Sequence, residues 1–81
     1  MGKGLWLVDK GDWDGAITDL REALRLDPNN GWAHFGLGAA LERKGDRRGA
    51  LEEYRTAYTL DPENAQFKQA YEGLLREIDG P

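Results

Sequence analysis

The sequence contains no cysteine and no serine, only one histidine, His34, and no apolar run of 18 or more residues. Each absence removes a class of protein. Without cysteine there is neither a disulfide framework nor Cys-ligated zinc, the devices that stabilise many small secreted domains, so stability has to come from packing. Without serine or cysteine, no Ser-His-Asp triad or Cys-His dyad can be assembled, and no enzyme is expected. A helix crossing a bilayer takes ~20 consecutive apolar residues, so no membrane insertion is expected. Val, Ile and Thr are scarce and no stretch alternates between apolar and polar residues, so strands do not compete with helices. At 81 residues the chain is one small domain.

Charge narrows the choice of partner. Fifteen acidic residues against 11 basic ones leave a net charge of −4, which does not favour a phosphate backbone. No nucleic acid is expected, and a neutral or basic peptide is easier to accommodate. At the amino end Trp6 stands where an N-myristoylation signal wants Ser or Thr, and no charged-then-apolar signal peptide is present. The expected compartment is the cytoplasm. Lys10-Gly11-Asp12-Trp13-Asp14-Gly15 has the look of a calcium loop, but Lys10 would fill the first ligand position and Arg21 the twelfth. Gly2-Lys3-Gly4 lacks the spacing of a phosphate-binding loop. Neither a metal nor a cofactor is therefore expected.

What the chain has in excess is glycine, 11 residues against an average usage of ~7%. An interior glycine weakens a helix by roughly 0.5–1 kcal/mol relative to alanine, so this excess would ordinarily signal loops. Shifting the sequence by 34 residues explains it: residues 1–47 laid over 35–81 give 15 identities in 47 pairs. Lys10-Gly11-Asp12 falls on Lys44-Gly45-Asp46, Gly15-Ala16 on Gly49-Ala50, and Leu26-Asp27-Pro28 on Leu60-Asp61-Pro62, with Asn30 on Asn64. The glycines are punctuation at a fixed period.

Between these marks the apolar residues recur with helical spacing: Ala16, Ile17, Leu20, Ala23 and Leu24, then Ala50, Leu51, Tyr54, Ala57 and Tyr58. Each helix should end near Leu-Asp-Pro, because proline cannot continue a helix. Asn30 and Asn64 should cap the helices that follow, and Gly11 and Gly45 suit the left-handed position after a helix end. The spacing predicts five helices at about 2–10, 14–26, 31–44, 48–60 and 65–78. Gly38 in mid-helix implies a close backbone approach, with Ala50 as the facing residue, and Gly4 and Ala16 repeat the arrangement.

The run His34-x2-Leu37-Gly38-x2-Leu41, then Ala50-x3-Tyr54, then Pro62, resembles the tetratricopeptide repeat pattern W-x2-L-G-x2-Y, A-x3-F, P at the same period. His34 and Leu41 depart from it, in the Trp and Tyr slots. The first unit matches at Gly4, Leu7, Ala16, Leu20 and Pro28, with Lys3 where Leu belongs. The resemblance implies an all-α fold of antiparallel helix-turn-helix repeats in a short right-handed superhelical solenoid of about five helices. It divides the chain into a truncated first repeat at 1–30, a complete second at 31–64, and at 65–81 a helix like the first of a third repeat. It also implies a scaffold for protein–protein interaction.

The stretch 31–44 carries two apolar stripes. Ala33, Leu37, Ala40 and Leu41 form an inward one, while Trp32, Phe35 and Ala39 lie on a different face. By resemblance that second face lines a concave groove for a peptide or protein segment, with Trp32, Phe35, Gly36, Ala39, Glu42 and Arg43 in it. Leu5 and Val8 extend it at one end, and Gln66, Gln69, Ala70, Gly73 and Arg76 at the other. The competing reading is that Trp32 and Phe35 simply pack on neighbouring helices. A subclass of the family clamps a C-terminal carboxylate, but the matching positions here are Leu5, Gly36, Gln66 and Ala70, so the clamp is missing and an apolar peptide fits better. Arg43, Lys44, Arg47 and Arg48, interleaved with Glu42 and Asp46, form either a solvated face complementing a helix C-terminus or a contact for an acidic partner. A rival function is self-association into a homo-oligomer. Phe67, Tyr71, Leu74, Leu75 and Ile78 form an apolar stripe on the last helix, where repeat arrays normally carry a polar cap. These side chains either fold back onto the preceding helix alone, or are covered by a second chain, or belong to an excerpt of a longer array.

Overall fold

The structure is a computed structural model that describes residues 12–80, and among these it is all-α. Helix α1 spans Asp12–Leu26, α2 Gly31–Arg43, α3 Arg47–Leu60 and α4 Ala65–Asp79. The expected helix at 2–10, including Gly4, Leu5 and Val8, and the turn at Gly11 lie outside the described residues.

Local chemistry sets the boundaries. Asn30 accepts a hydrogen bond from the Ala33 amide at 3.1 Å, and Asn64 accepts from the amides of Gln66 at 2.9 Å and Phe67 at 3.2 Å. Each asparagine thereby satisfies amides that have no partner within their own helix. Pro28 and Pro62 sit in the turns just upstream. Gly45 takes φ +94°, the left-handed conformation that its position predicts. Asp46 then caps α3 by accepting from the Gly49 amide at 2.9 Å, a role the repeat pattern did not single out.

Consecutive helices pack antiparallel, α1 on α2, α2 on α3 and α3 on α4. The inward stripe of α2 is as the period predicts, with Ala33, Leu37, Ala40 and Leu41 all buried. Ala50, Tyr54 and Ala57 of α3 and Phe67 and Leu74 of α4 complete the buried core, and Ile17, Leu20 and Leu24 of α1 cover it from the other side. Gly38 lies where α2 and α3 approach closely. A Cβ there would stand 3.1 Å from the Ala50 carbonyl oxygen and 2.8 Å from the Tyr54 ring, so the ring is a nearer neighbour than the alanine predicted to face it.

His34 occupies the aromatic slot as a connector between elements. Its Nδ1 lies 2.8 Å from Glu53 Oε1 on α3 and its Nε2 lies 2.8 Å from the Pro28 carbonyl oxygen in the α1–α2 turn.

Candidate functional site

Trp32 opens α2 with its side chain half in solvent, 53% exposed, beside the Asn30 cap. It is nevertheless held from below. Its ring meets Phe35 edge-on at 5.6 Å between centroids and Phe67 at 4.7 Å, while Phe35 lies 5.5 Å from Tyr54 and 5.3 Å from Phe67. Aromatic pairs at these separations attract through their ring quadrupoles as well as through burial. Phe67 is the keystone, 1% exposed and seated beneath the first turn of α2. Both readings of the aromatic pair thus have a share: Phe35 is half-buried among neighbouring rings, and Trp32 is a presented ledge resting on them.

The far end of α2 is polar. Ala39, Glu42, Arg43, Arg47 and Tyr54 line an open cleft of about 550 Å³. The Tyr54 hydroxyl donates to Glu42 Oε1 at 2.8 Å. Burial, then the hydrogen bond and the negative charge of Glu42, push this phenol well above the ordinary tyrosine range, with Arg43 opposing. The Arg43 guanidinium stands over the Trp13 ring of α1 at 5.9 Å from its centroid, and Lys44 is paired with Asp14. These two contacts fasten the end of α2 to the start of α1.

The remaining predicted groove residues divide. Gly36 turns toward α1, since a Cβ on it would meet both Leu20 methyl carbons at 3.5 Å; it does not belong to the exposed stripe. Gln66 and Gln69 are exposed on α4, Ala70 is half-buried against the core, and a Cβ on Gly73 would meet nothing within 4 Å. Arg76 lines a separate shallow cleft with Glu72, Leu75, Asp79 and Gly80. Leu5 and Val8 are outside the described residues.

Of the residues assigned to self-association, Phe67 and Leu74 are 1% and 3% exposed and pack inside the chain, so neither is presented to a second copy. Tyr71, Leu75 and Ile78 are half-buried and, with Arg48, Leu51, Glu52, Arg55 and Asp79, line a groove of about 340 Å³ between α3 and α4. Tyr71 also stacks on Tyr58 at 5.8 Å. Among the described residues no three His, Cys, Asp or Glu side chains come together as a metal site, and no helix is long and apolar enough to cross a membrane.

Two site residues escaped the sequence reading of the groove. In the sequence Tyr54 reads as a core and repeat-pattern residue and Arg47 as part of a basic cluster, because their convergence with Ala39 and Arg43 depends on how α3 crosses α2.

Comparison with known proteins agrees with this architecture. The family model described as TPR repeat matches residues 4–45, and that described as Tetratricopeptide repeat matches residues 31–64. No curated protein matches the chain. Repeats of this kind generally mediate protein–protein interaction. On the family match across half its length, supported by the stacked antiparallel helices, the chain belongs to the tetratricopeptide repeat family.

Proposed function

We propose that the protein is a non-enzymatic scaffold that binds a peptide or protein segment on the face carrying Trp32, Phe35 and Ala39, with Gln66, Gln69, Ala70 and Gly73 continuing the surface on α4. The observation that carries this reading is Trp32: a large aromatic ring, 53% exposed, yet fixed in place by Phe35 and Phe67. A ring ordered before binding loses little entropy when a ligand covers it, which is the character of an interface anchor. The division into 1–30, 31–64 and 65–81 belongs to the same reading, with the middle unit supplying most of the surface. Because Trp32 is 53% exposed and Phe35 already half-buried, covering what remains of the two rings yields about 2–3 kcal/mol, whereas micromolar affinity corresponds to about 8 kcal/mol net of association costs. Binding by this chain alone is therefore weak.

Titration of Trp fluorescence or NMR shifts with an apolar peptide pool tests the reading. Trp32→Ala should abolish the response while the helical circular dichroism is kept; a response unchanged in Trp32→Ala defeats it.

The groove between α3 and α4 supports a second reading, self-association. Under the 34-residue shift, Leu37, Gly38 and Leu41 of α2 correspond to Tyr71, Glu72 and Leu75 of α4. The α2 set is buried beneath α3, whereas Tyr71 and Leu75 are half-buried and Glu72 is exposed. Light scattering over a concentration series decides it, and a particle that stays monomeric at millimolar concentration removes this alternative.

A further inference from the structure

The exposed stripe of α2 has two chemically different ends. At 100° per residue Trp32, Ala39 and Arg43 lie within about 40° of one another around the helix, and at 1.5 Å per residue Trp32 and Arg43 are separated by about 16 Å along it. One end is the aromatic ledge. At the other, Arg43 and Arg47 face one cleft and neither makes an ion pair among the described residues. Their acidic neighbour Glu42 already accepts the Tyr54 hydroxyl, and Lys44 is occupied by Asp14. The cleft therefore offers two guanidinium groups against one carboxylate, in a protein whose net charge is −4. Half-buried Ala39, between the ends, leaves a shallow floor.

We propose that the groove recognises an extended segment carrying an aromatic or large aliphatic residue and, four residues away, an acidic side chain, with a small residue midway between them. This rests on the groove reading above and adds its ligand chemistry. An extended chain advances about 3.3 Å per residue and points alternate side chains to one face, so residues i, i+2 and i+4 span about 13 Å. The reach of the arginine and of the ligand's carboxylate closes the remainder. The guanidinium fork suits a carboxylate, and the Trp13 ring 5.9 Å from Arg43 Cζ supports the guanidinium without neutralising its charge. The acid comes from a side chain of the segment, since the positions that would grip a terminal carboxylate carry Leu5, Gly36, Gln66 and Ala70.

The test uses the full 81-residue chain and fluorescein-labelled peptides in a Gly-Ser background, end-blocked so that no terminal carboxylate is present. Each contains Trp and Glu four residues apart with Ala between, in both chain directions, alongside versions with Glu→Gln, Glu→Lys and Glu moved by one residue. In at least one direction, the Glu peptide should bind about tenfold more tightly than the Lys peptide at low salt, with Gln and the shifted Glu between them. The R43Q/R47Q variant should erase the preference while still binding in a Trp32-dependent way. Equal affinity for Glu, Gln and Lys, or a preference that survives in R43Q/R47Q, overturns the inference; if that binding is lost in Trp32→Ala, the groove itself stands. Failure of every peptide to bind the unmodified protein at millimolar concentration overturns both.

Discussion

Gly38 and Tyr54 meet so closely that a methyl group on Gly38 would stand 2.8 Å from two carbons of the tyrosine ring, with the Ala50 carbonyl oxygen 3.1 Å away on the same side. The ring is itself buried, and the backbone behind it belongs to α3, so neither can yield without parting the helices. Gly38→Ala should destabilise the fold by about 1–3 kcal/mol despite the better helix propensity of alanine, and Gly38→Leu by more. Gly36→Ala, two residues away, meets Leu20 only at ordinary contact distance and should stabilise by up to about 1 kcal/mol. Urea unfolding of the two alanine variants should therefore move the midpoint in opposite directions.

Tyr54 gives the fold an alkaline limit. Its phenol is raised in the folded state by burial and by Glu42, so the unfolded chain releases this proton first, at the usual value of about 10. The contribution is complete below that pH and is lost as pH rises above it, because the unfolded state then binds fewer protons. Thermal melting followed from pH 8 to 11 should show a steeper alkaline fall for the native protein than for Tyr54→Phe. Parallel curves would show that the Tyr54–Glu42 contact has no part in it.

The asparagine caps contribute through their side-chain oxygens. Asn64→Ala leaves the amides of Gln66 and Phe67 without that acceptor and should lower stability by about 1 kcal/mol, whereas Asn64→Asp keeps an oxygen in place and should be nearly neutral. Chemical denaturation of both variants separates capping from any general intolerance of the site.

His34 and Glu53 should behave as a coupled pair. Single alanine replacements each break the 2.8 Å contact between α2 and α3, so their effects should not add. A double-mutant cycle is expected to return a coupling of about 0.5–3 kcal/mol, and a value indistinguishable from zero would make the contact incidental to stability.

The sequence made some of this legible and concealed the rest, for physical reasons. Helix ends are written locally, in Pro28, Asn30, Gly45, Pro62 and Asn64, and the buried stripe of α2 follows from its period alone. The repeat pattern carried the family. Contacts that join distant parts of the chain leave no periodic trace: Trp13 beneath Arg43, Glu42 beneath the Tyr54 hydroxyl, and His34 between Glu53 and Pro28 appear only when the helices are stacked. The site was half legible for the same reason. Trp32 stood out as a second stripe, while the orientation of Gly36 toward Leu20 and the gathering of Arg47 with Arg43 depend on interhelical geometry.

Phe67 has a consequence for motion. The main packing runs between consecutive helices, so α4 is held chiefly by α3, and local opening of the chain is expected to begin there. Phe67 reaches past its neighbour to touch Trp32 and Phe35. When α4 lifts, the ledge loses its base, and a partner gripping Trp32 thereby favours the docked helix. Occupation of the proposed groove should thus be linked to local opening at the carboxyl-terminal end of the described chain, with amide exchange in α4 slowing when a peptide covers Trp32.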